Sequence, residues 1–457
     1  MSASKAAAAP PGASAGEGSG GLHRIIRVRD GLAVSVGMVI GAGILRTPGL
    51  IASYLGDPRA ILFIWVLGGV IAGLSTLMIA EMAAAMPSAG GKYVYAREAW
   101  GPTAGFVAGW AEIIVSRGFS GASKAVVIAT YAIELAGRGN LRVVATALVL
   151  AFAVLHLGGL KAGTTFQNVS TVIKIIVLAG IAAAGIASGD PANFTASTPP
   201  APEYAGLLGF ALAYQAVAFA YYGWEDASKM AEEVRDPGKA LPRILLGGAA
   251  AVAILYLLIN ISFIAALRPD EMAGSTLVAR DAVTGVFGSS AGKVVQVSAL
   301  LILISSLNVN FLATPRVAFA LARDGLAPRA FSRVNKAGTP TVALLFMAAV
   351  ILALAVSGSF ETLIRFMMLV AISVDLVVLA GFFRLRRRIP AAQRPMTVPG
   401  YPILPALTVL LYVMVLATIV ATQPRLAIGG GAMLAGLIIA GIVTSRAARS
   451  RARSLPG

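Results

Sequence analysis

The stretch VIGAGILRTPG, Val39 to Gly49, sets two glycines one residue apart and then a proline inside an apolar run of about 31 to 55. A run of that length is enough to cross a bilayer, for which about 20 residues are needed. Glycine and proline weaken a helix at the depth where lipid offers the backbone no other partner. Two readings follow. Either the helix is broken at Gly41 to Gly43, its bare backbone tolerated because it lines a polar cavity, or Gly37 and Gly41, four apart, form a small-residue face for a second helix.

Composition gives the stretch its setting. Of 457 residues 58% are hydrophobic and 12% charged, and mean hydropathy is +0.83, the profile of an integral membrane protein. The formal net charge of +17 does not point to nucleic acid, because the basic residues fall between apolar runs and form no basic stripe with interleaved aromatics. The absence of cysteine excludes disulfides, thiolate metal sites and a disulfide-linked accessory chain. His23 and His156 are too few for a histidine metal site and are expected at a terminus and an interface, so no metal or other cofactor is expected.

Residues 1–30 lack the basic, apolar and cleavage-site segments of a secretory signal and read as a disordered cytoplasmic tail. Twelve apolar stretches follow, at about 31–55, 60–86, 103–136, 141–158, 165–189, 206–231, 243–267, 291–322, 340–357, 361–384, 401–421 and 427–445. With the N-terminus inside, the cytoplasmic segments collect 24 of the 37 lysines and arginines, Lys92 and Lys229 among them, and the outer segments hold seven. Both termini are therefore expected in the cytoplasm. Arg46, Arg117, Lys124, Lys174, Arg316 and Arg365 fall within or at the edge of spans, where each needs an explanation.

The sixth span favours the broken-helix reading. It reads AFAYYGWEDASKMAEEVRDP, Ala218 to Pro237, with Gly223 and Trp224 beside Glu225 and Asp226. Five spans separate the two broken candidates, and an odd number of spans per repeat inverts the second copy. Spans one to five (31–189) and six to ten (206–384) would then be related by an axis in the membrane plane that brings both breaks to the midplane. Spans eleven and twelve (401–445) trail, followed by a basic tail at 446–457. The free N–H groups and positive dipole end of a second half-helix suit a carboxylate, and the last carbonyls of a first half suit an ammonium. Together they match the two charges of an amino acid. The expected fold is an all-α membrane transporter with twelve spans and broken helices one and six. The nucleophile or metal constellation of an enzyme is missing.

The runs AEMAAAMPSAGGKYVYAREAWGPTAGFVAGW, YYGWEDASKMAEEVRDPGKALPRIL and TPRVAFALARDGLAPRAFSRVNKAGTPTVALL resemble the amino acid, polyamine and organocation (APC) superfamily of permeases. Within it the chain is similar to the bacterial relatives of the L-type amino-acid transporters, over spans one to ten. The resemblance implies the five-plus-five inverted repeat with two trailing helices and residence in a bacterial inner membrane. It implies sodium-independent transport of small to medium neutral amino acids by exchange or proton coupling. The alternatives are a cationic amino-acid or polyamine antiporter and, in another class, a membrane sensor that binds amino acids without moving them.

The resemblance also assigns roles. Gly41, Ala42, Gly43 and Ile44 match the first-helix motif whose amides hold the substrate carboxylate. The carbonyls of Val39 and Phe219 would accept from the α-amino group, and the Phe219 ring would close over the substrate. Lys174 matches the fifth-helix lysine that replaces a sodium ion; it is expected to bridge the first and eighth helices, near Ser305, Ser306 and Asn308. Tyr222 either narrows the side-chain pocket or points into packing, with Trp224 beside it. Glu225 stands where many relatives have Asn and would favour a cationic substrate if it reached the pocket. Asp375, without an obvious local partner, is expected to carry a proton or serve as a lysine counter-ion. Arg117 and Lys124, seven apart on one helix face, are expected to pair with Glu112 or with carboxylates of another helix.

Overall fold

The computed structural model describes residues 24–158, 160–355 and 360–453; His23 and most of the N-terminal tail lie outside them. Regular structure among the described residues is helical apart from two isolated bridges, Ile26 with Val234 and Val334 with Pro340. The first span is split into α1 (Val28–Val39) and α2 (Ala42–Leu55). α3 (Pro58–Ala85) starts at Asp57, whose carboxylate accepts from the N–H groups of Arg59 and Ala60, two of the donors that a helix start leaves free. After the short α4 (Lys92–Trp100), α5 (Pro102–Trp110) passes through a nine-residue π-helical segment, Ala111–Phe119, into α6 (Ser120–Ala136). α7 (Leu141–Leu157) and α8 (Leu160–Ser188) complete the first half.

The second half opens with α9 (Leu207–Tyr221), a break, and the 3-10 segment Asp226–Glu233. α10 (Pro237–Ala266), two short connecting helices, α11 (Pro269–Gly274) and α12 (Val278–Phe287), and the long α13 (Ser289–Arg323) follow. α14 (Thr341–Ala355), α15 (Phe360–Arg388), α16 (Ile403–Thr422) and α17 (Pro424–Arg453) end the chain. Nine spans among the described residues are long and apolar enough to cross a membrane; α7 and α14 are shorter apolar helices.

α1 is held between α8 and α10, α2 lies along α9, α3 runs along α10, and α13 packs on α8. α16 and α17 sit at the periphery with most of their surface uncovered. Polarity is reversed relative to a soluble protein: Ile403, Ile428 and Val154 are 78%, 73% and 68% exposed, while lysines and carboxylates lie inside. Only lipid covers such an exterior without cost, so the protein is integral to a membrane. Three of the basic residues that needed explanation find partners within the bundle: Arg46 donates to the Thr276 carbonyl, Arg316 to the Leu312 carbonyl and Glu233, and Arg365 to the Tyr54 hydroxyl.

Candidate functional site

The two interrupted helices meet. α1 stops at Val39, Ile40 is extended, and α2 resumes after Gly41. A Cβ on Gly43 would lie 2.3 Å from the Cα of Ala220, so glycine alone lets α2 approach the α9 backbone this closely. A Cβ on Gly37 would meet Gln167 and Thr171 of α8 at 2.0 and 2.3 Å. The glycines of the opening stretch therefore pack helices as well as flank a break. α9 ends at Tyr221, and Gly223 takes a φ of 111°, a left-handed conformation that favours glycine, before the chain resumes as a 3-10 turn. Tyr256 of α10 ties the breaks together, its hydroxyl 2.8 Å from the Val39 carbonyl and 3.3 Å from that of Ala220.

Between the breaks lies a hollow with about 270 Å³ of empty space. It is lined by Met38, Val39, Gly41 and Gly43 of the first break, Phe219 and Tyr222 of the second, and Arg117, Ser120, Lys124 and Ser306 from neighbouring helices. It is narrow, with free room for about one water, so a larger solute enters only when the walls move. Of the residues singled out from sequence, Ile44 is fully buried behind the motif, and Trp224 and Asp375 border a neighbouring hollow with Tyr214 and Tyr412. Ala42 contributes its backbone as the first residue of α2.

A helix end leaves its last carbonyls without helical partners, and here side chains from other helices take them. Lys174, 1% exposed, donates to the carbonyls of Gly37 and Ile40, both at 2.9 Å, while Tyr256 takes that of Val39. The expected bridge from Lys174 to the eighth helix is not formed among the described residues. Its donors point at the carbonyls of the break, and α8 is linked to α13 by the Ser170 and Ser305 hydroxyls, 2.7 Å apart. Asn308 donates to Gln167 and the Gly163 carbonyl, and its Oδ1 lies 2.8 Å from His156 Nε2. His156 is thus buried between helices rather than interfacial.

Beside the hollow is a charge network that the sequence reading caught only in part. Lys92, Arg117 and Lys229 meet Glu112, Glu225, Asp226 and Asp375, none more than 4% exposed. Lys92 lies 2.8 Å from Glu225 and 2.5 Å from Asp375, so Asp375 does have a partner, supplied by α4. Arg117 pairs with Glu112 at 2.7 Å and with Asp226, and Lys229 with Glu112 and Asp226. The π-helical turn explains the first pair, because its i to i+5 repeat sets residues five apart on one face. Glu112, Glu225 and Asp226 offer oxygens within 4.8 Å of one another, and the ammonium and guanidinium of Lys229 and Arg117 are the cations seated among them. The Tyr222 hydroxyl is 3.3 Å from Glu112 and 3.4 Å from Lys92. Lys124 departs from the expected pairing: its ammonium donates to the Ser306 carbonyl at 3.3 Å and meets no carboxylate among the described residues.

Lys92 and Lys229 count as orientation charges from sequence because Lys92 falls in what reads as a connection and Lys229 in the polar end of the sixth stretch. A polar stretch next to a span looks the same whether it is solvated or folded inward. Tyr256 carried no signal either, since tyrosine is at home in any span.

The family model described as amino acid permease matches residues 29–443, which takes in both interrupted helices. The chain is 31% identical to the serine/threonine exchanger SteT of Bacillus subtilis, over 85% of this chain and 89% of that protein. It is 28% identical to the large neutral amino acids transporter small subunit 2 of Mus musculus, over 85% and 75% of the two chains. It is 25% identical to the b(0,+)-type amino acid transporter 1 of Mus musculus, over 88% and 84%. With the match running from the first helix to the last, the chain belongs to the amino acid permease family, in the APC superfamily of amino-acid transporters.

Proposed function

We propose that this permease is a sodium-independent secondary transporter of small to medium neutral amino acids, working by exchange or with protons and holding its solute at the junction of the two breaks. The observation that carries the reading is the hollow between α1, α2 and α9, where opposite backbone ends face one space. The N–H groups at Gly41, Ala42, Gly43 and Ile44 open α2 and suit a carboxylate. The carbonyls of Val39 and Phe219 suit an ammonium; that of Val39 keeps a second lone pair beside the Tyr256 bond. The Phe219 ring is the lid of this site.

Specificity follows from the walls. Tyr222, its hydroxyl held between Glu112 and Lys92, presents a fixed ring that favours short side chains. Glu225 faces Lys92 and is not part of the wall, which argues against a cationic substrate or polyamine. Lys174 fills the carbonyl pair where a sodium ion would be bound, hence sodium independence. Asp375, joined to Lys92, is the candidate proton carrier, with Trp224 beside it and Ser305 next to the wall residue Ser306.

The architecture that goes with this reading has twelve spans. α9 with the 3-10 segment is the second broken helix, a five-plus-five inverted repeat covers about 31–384, and α16 and α17 trail. Without Lys92 and Lys229 the basic residues still divide 22 to seven, in favour of cytoplasmic ends in a bacterial inner membrane. No disulfide joins an accessory chain to this one, since it has no cysteine.

Purified protein in proteoliposomes loaded with unlabelled alanine should accumulate labelled alanine and serine equally well in sodium and in choline medium. A dependence on internal substrate assigns exchange; uptake into empty vesicles driven by a pH gradient assigns symport. Uptake of arginine alone overturns the neutral reading, and binding without accumulation makes the protein a sensor.

A further inference from the structure

We propose that Lys124 lets the hollow also take a side-chain carboxylate, so that aspartate binds better than its neutral isostere asparagine. The inference rests on the transporter reading and extends its neutral substrate class to a short acidic amino acid at the same site. Neutral solutes fill the hollow through their backbone charges; an acidic side chain adds one more contact.

The polar side chains of the wall are Arg117, Ser120, Lys124, Ser306 and Tyr222, and no carboxylate is among them. Arg117 is paired with Glu112 and Asp226, and the Tyr222 hydroxyl is shared between Glu112 and Lys92. Ser306 and Lys124 keep spare capacity. The Ser306 hydroxyl is buried without a hydrogen-bond partner among the described residues. The Lys124 ammonium, 6% exposed, has one bond, to the Ser306 carbonyl at 3.3 Å. An ammonium has three donors, and a buried one without a counter-ion is costly. Lys92 and Lys229 each contact two carboxylates or more, and Lys174, which has none, is satisfied by two carbonyls outside the wall. Lys124 alone of these lysines turns spare donors to the space where a solute would bind.

The wider charge count agrees. By residue count, Lys92, Arg117, Lys124, Lys174 and Lys229 stand around the two breaks against four buried carboxylates, Glu112, Glu225, Asp226 and Asp375. An amino acid with an acidic side chain brings a carboxylate to the side of the hollow where Lys124 has none. The fixed Tyr222 ring and the small volume favour the shorter acid, aspartate.

The test compares aspartate with asparagine as inhibitors of labelled alanine counterflow in proteoliposomes, and as stabilisers of the detergent-solubilised protein against heat. Aspartate should act at about tenfold lower concentration, the worth of one charge-assisted hydrogen bond. Lys124→Gln should erase that ratio and Lys124→Arg should keep it. If aspartate is no better than asparagine on the wild-type protein, the inference is overturned while alanine exchange leaves the transporter reading standing. A Lys124→Gln protein that still prefers aspartate overturns it too. If neither counterflow nor uptake driven by a pH gradient occurs, the transporter reading falls, and the thermal comparison on the wild-type protein still decides the carboxylate site.

Discussion

Lys174 shows what one side chain does for a broken helix. The break leaves carbonyls of α1 in a dry interior, where each unpaired group costs about 1 to 3 kcal/mol, and the lysine takes two of them at 2.9 Å. Lys174→Met keeps the volume and removes both bonds. It should lower the thermal midpoint sharply, by a stability loss of about 2 to 6 kcal/mol from two such carbonyls. Counterflow should slow by at least about tenfold, equivalent to 1.4 kcal/mol, because the two halves of the first span are no longer held in register. A variant that melts and transports like the wild type would show that the carbonyls find other partners. This residue was legible in the sequence because a lysine well inside the apolar run 165–189 cannot easily reach the interface. Its partners were not: which carbonyls it meets depends on how α8 lies against α1, and nothing local encodes that.

Elements place the charges that single residues cannot explain. The π-helical turn at Ala111–Phe119 points Glu112 and Arg117 the same way, and the 3-10 segment after the second break delivers Asp226 and Lys229 to them. Neither irregularity could be read from the apolar pattern, which over nine residues looks alike for an α- and a π-helix. α4 brings in Lys92, the one cation that Glu225 and Asp375 share at 2.8 and 2.5 Å. Lys92→Met strands the buried Asp375 carboxylate and leaves Glu225 only its longer contacts to Lys229 and Arg117, at 3.7 and 3.8 Å, and should cost about 3 to 5 kcal/mol. Adding Asp375→Asn should recover part of it, with a coupling of about 0.5 to 3 kcal/mol in a double-mutant cycle of thermal stability; strict additivity would mean that the two do not interact. Gly43→Ala tests the contact between α2 and α9, since its methyl would need the space of the Ala220 backbone 2.3 Å away. Separating the two elements should abolish counterflow and cost about 1 to 3 kcal/mol or more. Normal exchange by that variant would show that the close approach is dispensable.

For the molecule as a whole, the hydrophobic runs were the most legible feature. The expected stretches agree with α3, α7, α13, α14 and α16 to within a few residues, because apolar length is dictated by bilayer thickness and not by packing detail. The interior was less legible, since its ion pairs join residues far apart in the chain, such as Lys92 with Asp375. Orientation belongs to this scale, being a property of charge summed over all connections. Two basic residues on opposite sides of the proposed topology are exposed: Arg138 after α6 and Lys336 between α13 and α14. The chain carries no cysteine, so Arg138→Cys and Lys336→Cys each introduce the only thiol in the protein. With the termini in the cytoplasm, a membrane-impermeant maleimide added to intact spheroplasts should label Arg138→Cys and spare Lys336→Cys until the membrane is opened. The reverse pattern would turn the molecule over. Labelling of both thiols in sealed cells, with the membrane shown to be intact, would contradict the span count between α6 and α14 on which the inverted repeat depends.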